Sequence, residues 1–448
     1  MLTKVQLKAS IKRVTPAPAW RTAKRVRSAG RKLKNRAKLR WIAYRAPRLH
    51  DALLTQYQGE RPIRVAFLMS NLASWKVDTV FTRMLDDLDF EPIIILSPVT
   101  SGILSQDAEH AANIVRDYVS SRKYPHIDLI DTEPEPARKE IKRLDPHIVF
   151  FTNPHSLAPR HLHDELLGSH LTCYVPYNHE VMSYGDQQEQ YNKVAHNYFW
   201  RIFAPQDVTR QHYANHRLRG ENGVVTTGFP ACEPLIEPIR SVERFPWKKQ
   251  ERTKKRVIYA PHWLWRHDIK MATINHFGEE MMRIAERYSN DIQWALRPHP
   301  MLRPKLTSDP KWGPEKTHDF FAFWSESFFS QINEGDYVSM FRTSDALIHD
   351  SGSSLAEYMY VRKPSLYLLT EDTGGKYFNA FGRAAFNACN KAQSIGDVER
   401  FLDQLLSGEQ CHDKVEHFFG HQIRPLMVTP PSKKICQEIK QNFGLTQP

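Results

Sequence analysis

The 448-residue chain contains no run of about 18 apolar residues, so no segment reads as a bilayer-spanning helix. Its N-terminus lacks an apolar stretch and does not read as a secretory signal. Cysteine is scarce. Cys173, Cys232, Cys389, Cys411 and Cys436 are widely spaced, odd in number and form no CxxC pair. That pattern argues against a disulfide framework and a structural zinc site, and a reducing cytosol is the simplest compartment. Acidic residues are missing from residues 1–50, which carry 16 Lys and Arg. The remainder holds 46 basic against 50 acidic residues, so the whole formal +12 resides in the N-terminal segment. This describes a basic arm on a mildly acidic body. A nucleic-acid-binding protein would carry its basic surface on the folded domain, so no nucleic-acid partner is expected.

In the arm, residues 1–60, Trp20, Val26, Leu33, Leu39, Trp41 and Tyr44 alternate with Arg and Lys. Such a segment suits a helix lying on an anionic lipid surface. It also suits a solvated tail, or one that grips nucleic acid. From Ile63 the pattern changes to short apolar runs separated by helix-length polar segments: 63–70, 92–97, 147–153, 171–177, 199–204 and 224–228. A polar, proline-containing break over 237–255 follows. A second series then runs through 256–260, 292–296, 337–340, 346–349 and 365–369. Strands alternating with helices predict parallel α/β sheets. The expected architecture is α/β, with two Rossmann-like domains at 61–240 and 253–395 and a helical segment at 396–448. Ligands of such sheets bind in the crevice beyond the strand C-termini.

Four segments carry candidate chemistry. In Ser344–Glu357 a buried strand ends at His349 and Asp350, and a Ser351-Gly352-Ser353-Ser354 turn opens a helix. Unsatisfied amides, the helix dipole and serine hydroxyls make a phosphate site there, with Asp350 at its edge. Glu357, one turn on, is placed to hold a ribose diol. The alternative is a plain helix cap at Ser351 or Ser353. In Leu296-Arg297-Pro298-His299-Pro300 the prolines fix a turn presenting Arg297 and His299 to the crevice. Tyr259-Ala260-Pro261-His262-Trp263 places His262 and Trp263 beside them, and packing is an equal reading for Trp263. In the first domain, Tyr177-Asn178-His179-Glu180 offers His179 as general base, against a hydrogen-bonded loop histidine. Thr227-Gly228-Phe229-Pro230 closes that domain. No carboxylate cluster demands a metal, and no cofactor is expected.

Together these segments resemble the CDP-glycerol glycerophosphotransferase family of teichoic-acid and capsule polymerases. The shared features are the Tyr259-Ala260-Pro261-His262-Trp263 strand end, His299-Pro300, and Ser344-Asp345-Ala346-Leu347-Ile348-His349-Asp350-Ser351-Gly352-Ser353. They continue through Glu357 and Lys363-Pro364, with Gly228-Phe229-Pro230 earlier. The family's Trp-His-Gly-Thr motif has Tyr177-Asn178-His179-Glu180 as its nearest counterpart here. The resemblance implies a GT-B architecture and a CDP-activated polyol donor whose diphosphate lies at Ser351–Ser354. It implies a lipid-linked or polymeric acceptor hydroxyl deprotonated by His179. Arg297 and His299 would stabilise charge on the phosphoryl group and on CMP. A cytoplasmic enzyme held on the inner membrane face follows. Asp-Ser-Gly followed by Glu also resembles the UDP-N-acetylglucosamine 2-epimerases. A non-catalytic nucleotide-sugar-binding protein is a third reading.

Overall fold

A computed structural model describes residues 17–100, 108–183, 187–237, 245–263, 265–266, 269–334, 337–370, 374–409 and 412–445, with 17–34 as backbone only. Each α/β half is built on one parallel sheet. The first contains β1 (Ile63–Met69), β2 (Phe90–Leu96), β3 (His126–Asp128), β4 (Ile148–Phe151), β5 (Leu171–Tyr174), β6 (Arg201–Ala204) and β7 (Val224–Thr226). Their order is β3-β2-β1-β4-β5-β6-β7. After β8 (Lys255–Ala260) comes a two-stranded ribbon, β9 (Trp265–Arg266) and β10 (Ile269–Lys270). The second sheet continues with β11 (Ile292–Leu296), β12 (Ser330–Ile332), β13 (Ala346–His349), β14 (Ser365–Leu368) and β15 (Asn390–Ala392). Its order is β12-β11-β8-β13-β14-β15. Strands such as Ile148–Phe151 and Ile292–Leu296 are buried along their whole length, as central parallel strands covered on both faces must be.

Both orders reverse direction beside the first strand of the half, between β1 and β4 and between β8 and β13. Those reversals open the crevices in which open α/β sheets bind ligands. The sequence reading differs at one apolar run. Val338–Thr343 is a helix, not a strand over 337–340, and the edge strand beside β11 is Ser330–Ile332. A four-residue run, here with Ser339 inside it, carries no period that separates the two.

The helices at both chain ends pack on the first half. The helix Ala17–Tyr57 docks its C-terminal half on the first half through Ile42, Ala46, His50 and Tyr57, a stripe at helical spacing. The helix Pro431–Asn442 returns from the second half to bury Ile435, Cys436 and Ile439 in the core of the first. Arg201 pairs with Glu438 at 2.7 Å, and Lys440 with Asp87 and Asp89 at 2.6 and 2.7 Å. Gly228, at φ +90°, lies where this segment crosses: an added Cβ would stand 2.8 Å from Pro431. The four described cysteines are buried and unbridged, and Cys411 lies outside the described residues.

Candidate active site

At the reversal of the second sheet, β8 and β13 run side by side with His349 opposite Ala260. The chain beyond them forms two adjacent turns, and Asp350 ties them together. Its Oδ1 accepts the His262 amide at 2.6 Å, and its Oδ2 accepts the Thr273 amide at 2.6 Å and the Thr273 hydroxyl at 2.8 Å. The carboxyl is fully buried, which pushes its pKa up to about 6 against the pull of those donors. Asp350 was expected to contact nucleotide. Both of its oxygens are committed to backbone and threonine donors, so it braces the site rather than lining it.

Ser351 caps the six-residue helix Gly352–Glu357: its Oγ accepts the Ser354 amide at 3.3 Å. The Ser351 amide is taken by His349 Nδ1 at 3.3 Å. Two of the expected phosphate-binding amides are therefore used internally. Those of Gly352 and Ser353, in the first helical turn, are the ones no intrahelical carbonyl can satisfy. Met182 of the first half lies over the turn, and a Cβ at Gly352 would come within 2.9 Å of its sulfur. A side chain there would have to displace the Met182 thioether, which gives Gly352 a packing reason as well as a binding one.

The Arg297–Pro300 turn lies next to this one. His299 and His262 meet edge to face at 4.7 Å between ring centroids, with Trp263 at 5.9 Å from His299. Burial lowers the His262 pKa to about 4; burial and then His262 lower that of His299 well below its ordinary value. Both rings are neutral near pH 7. His299 Nδ1 accepts the Met301 amide at 3.0 Å, so the hydrogen of the neutral ring lies on Nε2, a donor. Arg297 hydrogen-bonds Asn333 and lies over the Tyr337 ring, 5.3 Å from its centroid.

Lys76, in the loop after β1, reaches across from the first half. Its Nζ lies 3.8 Å from Glu357 Oε1 and 4.6 Å from the Tyr337 centroid. The seam thus gathers Lys76, Glu357, Tyr337 and Arg297. Two cations flank one aromatic ring beside a largely buried carboxylate. Neither Lys76 nor Tyr337 was visible as a site residue. A lone lysine in a loop carries no motif, and its neighbours come from the other half.

His179 departs from expectation. It was placed at the cleft as a base, and it is 0% exposed. Its ring stacks on Phe381 at 5.0 Å, and its Nε2 meets the Tyr360 hydroxyl at 2.8 Å, both from the second half. Burial drives its pKa down to about 3. The neighbouring backbone completes a latch: Ser183 donates to Tyr377 O at 2.7 Å, and Asn379 N to Val181 O at 2.9 Å. His179 is a contact between the halves, because the aromatic partners that seal it arrive from distant sequence.

These shifts fix a pH dependence. His50, His179 and His349 are lowered to about 3 and His262 to about 4. The unfolded chain takes up these protons near pH 6.5 and the folded one does not. Stability is therefore complete above about 6.5 and falls as pH drops, by up to ~1.4 kcal/mol per pH unit per histidine. Asp350 acts oppositely, since protonating it below about 6 relieves a buried charge. The histidines outnumber it. Urea unfolding midpoints should fall steadily from pH 7.5 to pH 5; a flat profile would show that these histidines are not buried neutral.

Residues 173–388 match the family described as CDP-Glycerol:Poly(glycerophosphate) glycerophosphotransferase. The matched segment is the central part of the chain, a little under half of it. It begins in β5 and takes in His179, the Arg297–Pro300 turn, Asp350–Glu357 and the latch at 377–381. No protein of curated function matches the chain in sequence. Among solved structures, a UDP-N-acetylglucosamine 2-epimerase from Listeria monocytogenes is similar at TM-score 0.60 and 14% identity, over 87% of this chain and 98% of that one. S. aureus MnaA with UDP gives 0.57 and 14%, over 86% and 97%. A variant of the wall teichoic acid polymerase TagF soaked with CDPG gives 0.56 and 12%, over 94% and 98%. At these identities the likeness is one of fold: two facing α/β halves of GT-B type.

Proposed function

We propose that this protein transfers glycerol phosphate from CDP-glycerol to a hydroxyl of a lipid-linked or polymeric acceptor. The carrying observation is that the matched segment encloses both turns of the second sheet's crevice. In this reading the diphosphate lies against the Gly352 and Ser353 amides, with Glu357 toward the ribose. The acceptor oxygen attacks the β-phosphorus, the bond from that phosphorus to the bridging oxygen breaks, and CMP departs. His299 Nε2–H and Arg297 donate to the phosphoryl and the departing CMP. Lys76, close to Glu357, adds positive charge from the acceptor side. Phosphoryl transfer depends mainly on such positioning and charge stabilisation. The proton of the acceptor hydroxyl goes to a first-half group other than His179, whose nitrogens are enclosed. Purified protein supplied with CDP-glycerol, CDP-ribitol and UDP-N-acetylglucosamine should release CMP from a CDP-polyol. UDP release or epimerisation in place of CMP would replace this reading with the epimerase one.

The basic arm supports a location on the inner face of a membrane. No helix among the described residues is long and apolar enough to cross one. Beyond the docked stripe, Trp41 and Tyr44 are exposed beside Arg45 and Arg48, while Trp20 lies among residues whose side chains are not described. Residues 1–34 carry 11 Lys and Arg. Each basic residue near an anionic surface contributes about 1 kcal/mol, screened by salt. The full chain should sediment with anionic vesicles at low salt, and deletion of 1–34 should release it without unfolding the body. Equal sedimentation of both proteins would remove the arm from this role.

A further inference from the structure

The ion pair between Lys76 and Glu357 contrasts with the other buried charges near the site. Side-chain exposure is 12% for Lys76 and 7% for Glu357, and the nearest N–O distance is 3.8 Å. That is beyond hydrogen-bond length. Among the described residues neither the ammonium nor the carboxylate makes a hydrogen bond. Asp350, also buried, accepts three, and Arg201 meets Glu438 at 2.7 Å. Taking two charges out of water costs more than a loose contact returns unless hydrogen bonds are added. This pair is therefore weakly held for its burial.

The two groups together offer a specific chemistry. A carboxylate accepts from hydroxyls, and a vicinal diol supplies two of them; an ammonium donates to phosphate oxygens. A ribose carrying a diphosphate has both. Lys76 is also mounted so that its side chain can move while its backbone stays. Asn71 Oδ1 accepts the Ser74 amide at 3.0 Å, and Trp75 Nε1 donates to Asp78 Oδ1 at 2.9 Å. Trp75 and Val77 are buried on either side of the lysine. What remains mobile is its four-carbon stem. The ammonium lies 4.6 Å from the centroid of Tyr337, and Arg297 lies 5.3 Å from the same centroid. A phosphate at this ring meets a cation from each half.

We propose that Lys76 is a gate on Glu357: it holds the carboxylate until a ribose displaces it, and the displaced ammonium then binds the diphosphate of the same ligand. Both side chains are largely buried, so hydroxyls reach Glu357 only by moving Lys76 aside. The exchange replaces a 3.8 Å contact with charge-assisted hydrogen bonds to both groups. A loop of the acceptor half thereby responds to the donor. The gate rests on the reading that a nucleotide binds at Gly352–Glu357, and not on which base it carries or which group is transferred.

The test compares cytidine, followed by ligand-observed NMR, with CDP-glycerol, followed by calorimetry, on the full chain and on Lys76→Met. Cytidine carries the diol without the phosphate, so removing its competitor should tighten binding about threefold, the scale of a loose ion pair. CDP-glycerol also loses a counter-charge, so its binding should weaken by about tenfold net, the scale of a hydrogen bond between charged groups. A lysine that only supported the fold would weaken both. In a Glu357→Gln background the cytidine gain should vanish, because no carboxylate is left to release. The double substitution Lys76→Met with Glu357→Gln leaves no unpaired charge. Compared with Glu357→Gln, it reads the CDP-glycerol loss if Lys76→Met alone misfolds. Cytidine binding that is unchanged or weaker in Lys76→Met, a gain that persists in the Glu357→Gln background, or undiminished CDP-glycerol binding would each overturn the gate. If the unmodified protein takes uridine and UDP-N-acetylglucosamine instead, the same comparison with those two ligands tests the gate while the transferase reading falls. Binding of neither pair overturns both.

Discussion

Asp350→Ala is expected to lose about 3–5 kcal/mol of folding stability, the usual cost of breaking a buried charged network. The substitution leaves the His262 amide, the Thr273 amide and the Thr273 hydroxyl without their acceptor. Each unmet buried donor costs about 1–3 kcal/mol. Domains are stable by roughly 5–15 kcal/mol, so this is a large share. Urea unfolding measures it, and Asp350→Asn, which keeps one acceptor oxygen, should lose less. Donor affinity should fall with stability, because the 261–263 turn is pinned through this carboxylate. A loss under about 1 kcal/mol, within the spread of ordinary surface substitutions, would show that the brace is dispensable.

His299→Ala is expected to lower kcat/KM for CDP-polyol turnover by about 10²-fold or more, the scale of a lost donor to developing charge. Its stability cost should be much smaller. The ring takes a single hydrogen bond, from the partly buried Met301 amide, so its removal leaves one donor unmet where Asp350→Ala leaves three. Because the ring is already neutral, the lost activity should be the same at pH 6 and pH 8. His299→Gln, which keeps an N–H donor, should recover part of the rate. A turnover within about threefold of the unmodified enzyme, too small for any hydrogen bond to charge, would remove His299 from the site.

The turns of the second half were readable because their information is local. A buried run ending in His349-Asp350, then Ser-Gly-Ser, can form little besides strand, turn and capped helix. The two prolines fix the shape of the Arg297–Pro300 turn within five residues. The use of each group inside those turns was not local. Asp350 looks like a ligand residue until Thr273 arrives, with both donors, from the start of the helix Ile274–Arg287. The run 337–340 was misread because so short a run, three apolar residues and Ser339, carries no period.

By itself the sequence determined a two-part α/β chain, the strand ends beside the second crevice, the family resemblance of the central segment, and a basic arm preceding a nearly neutral body. Each follows from patterns within tens of residues: apolar runs, turn chemistry and charge density. The tertiary structure alone decided which polar groups are exposed. His179 is sealed by Tyr360, 181 residues further along the chain, and Lys76 meets Glu357 only because the halves close on each other. Burial and pairing are properties of what folds against a residue, and neither spacing nor composition encodes the partner when it comes from another sheet.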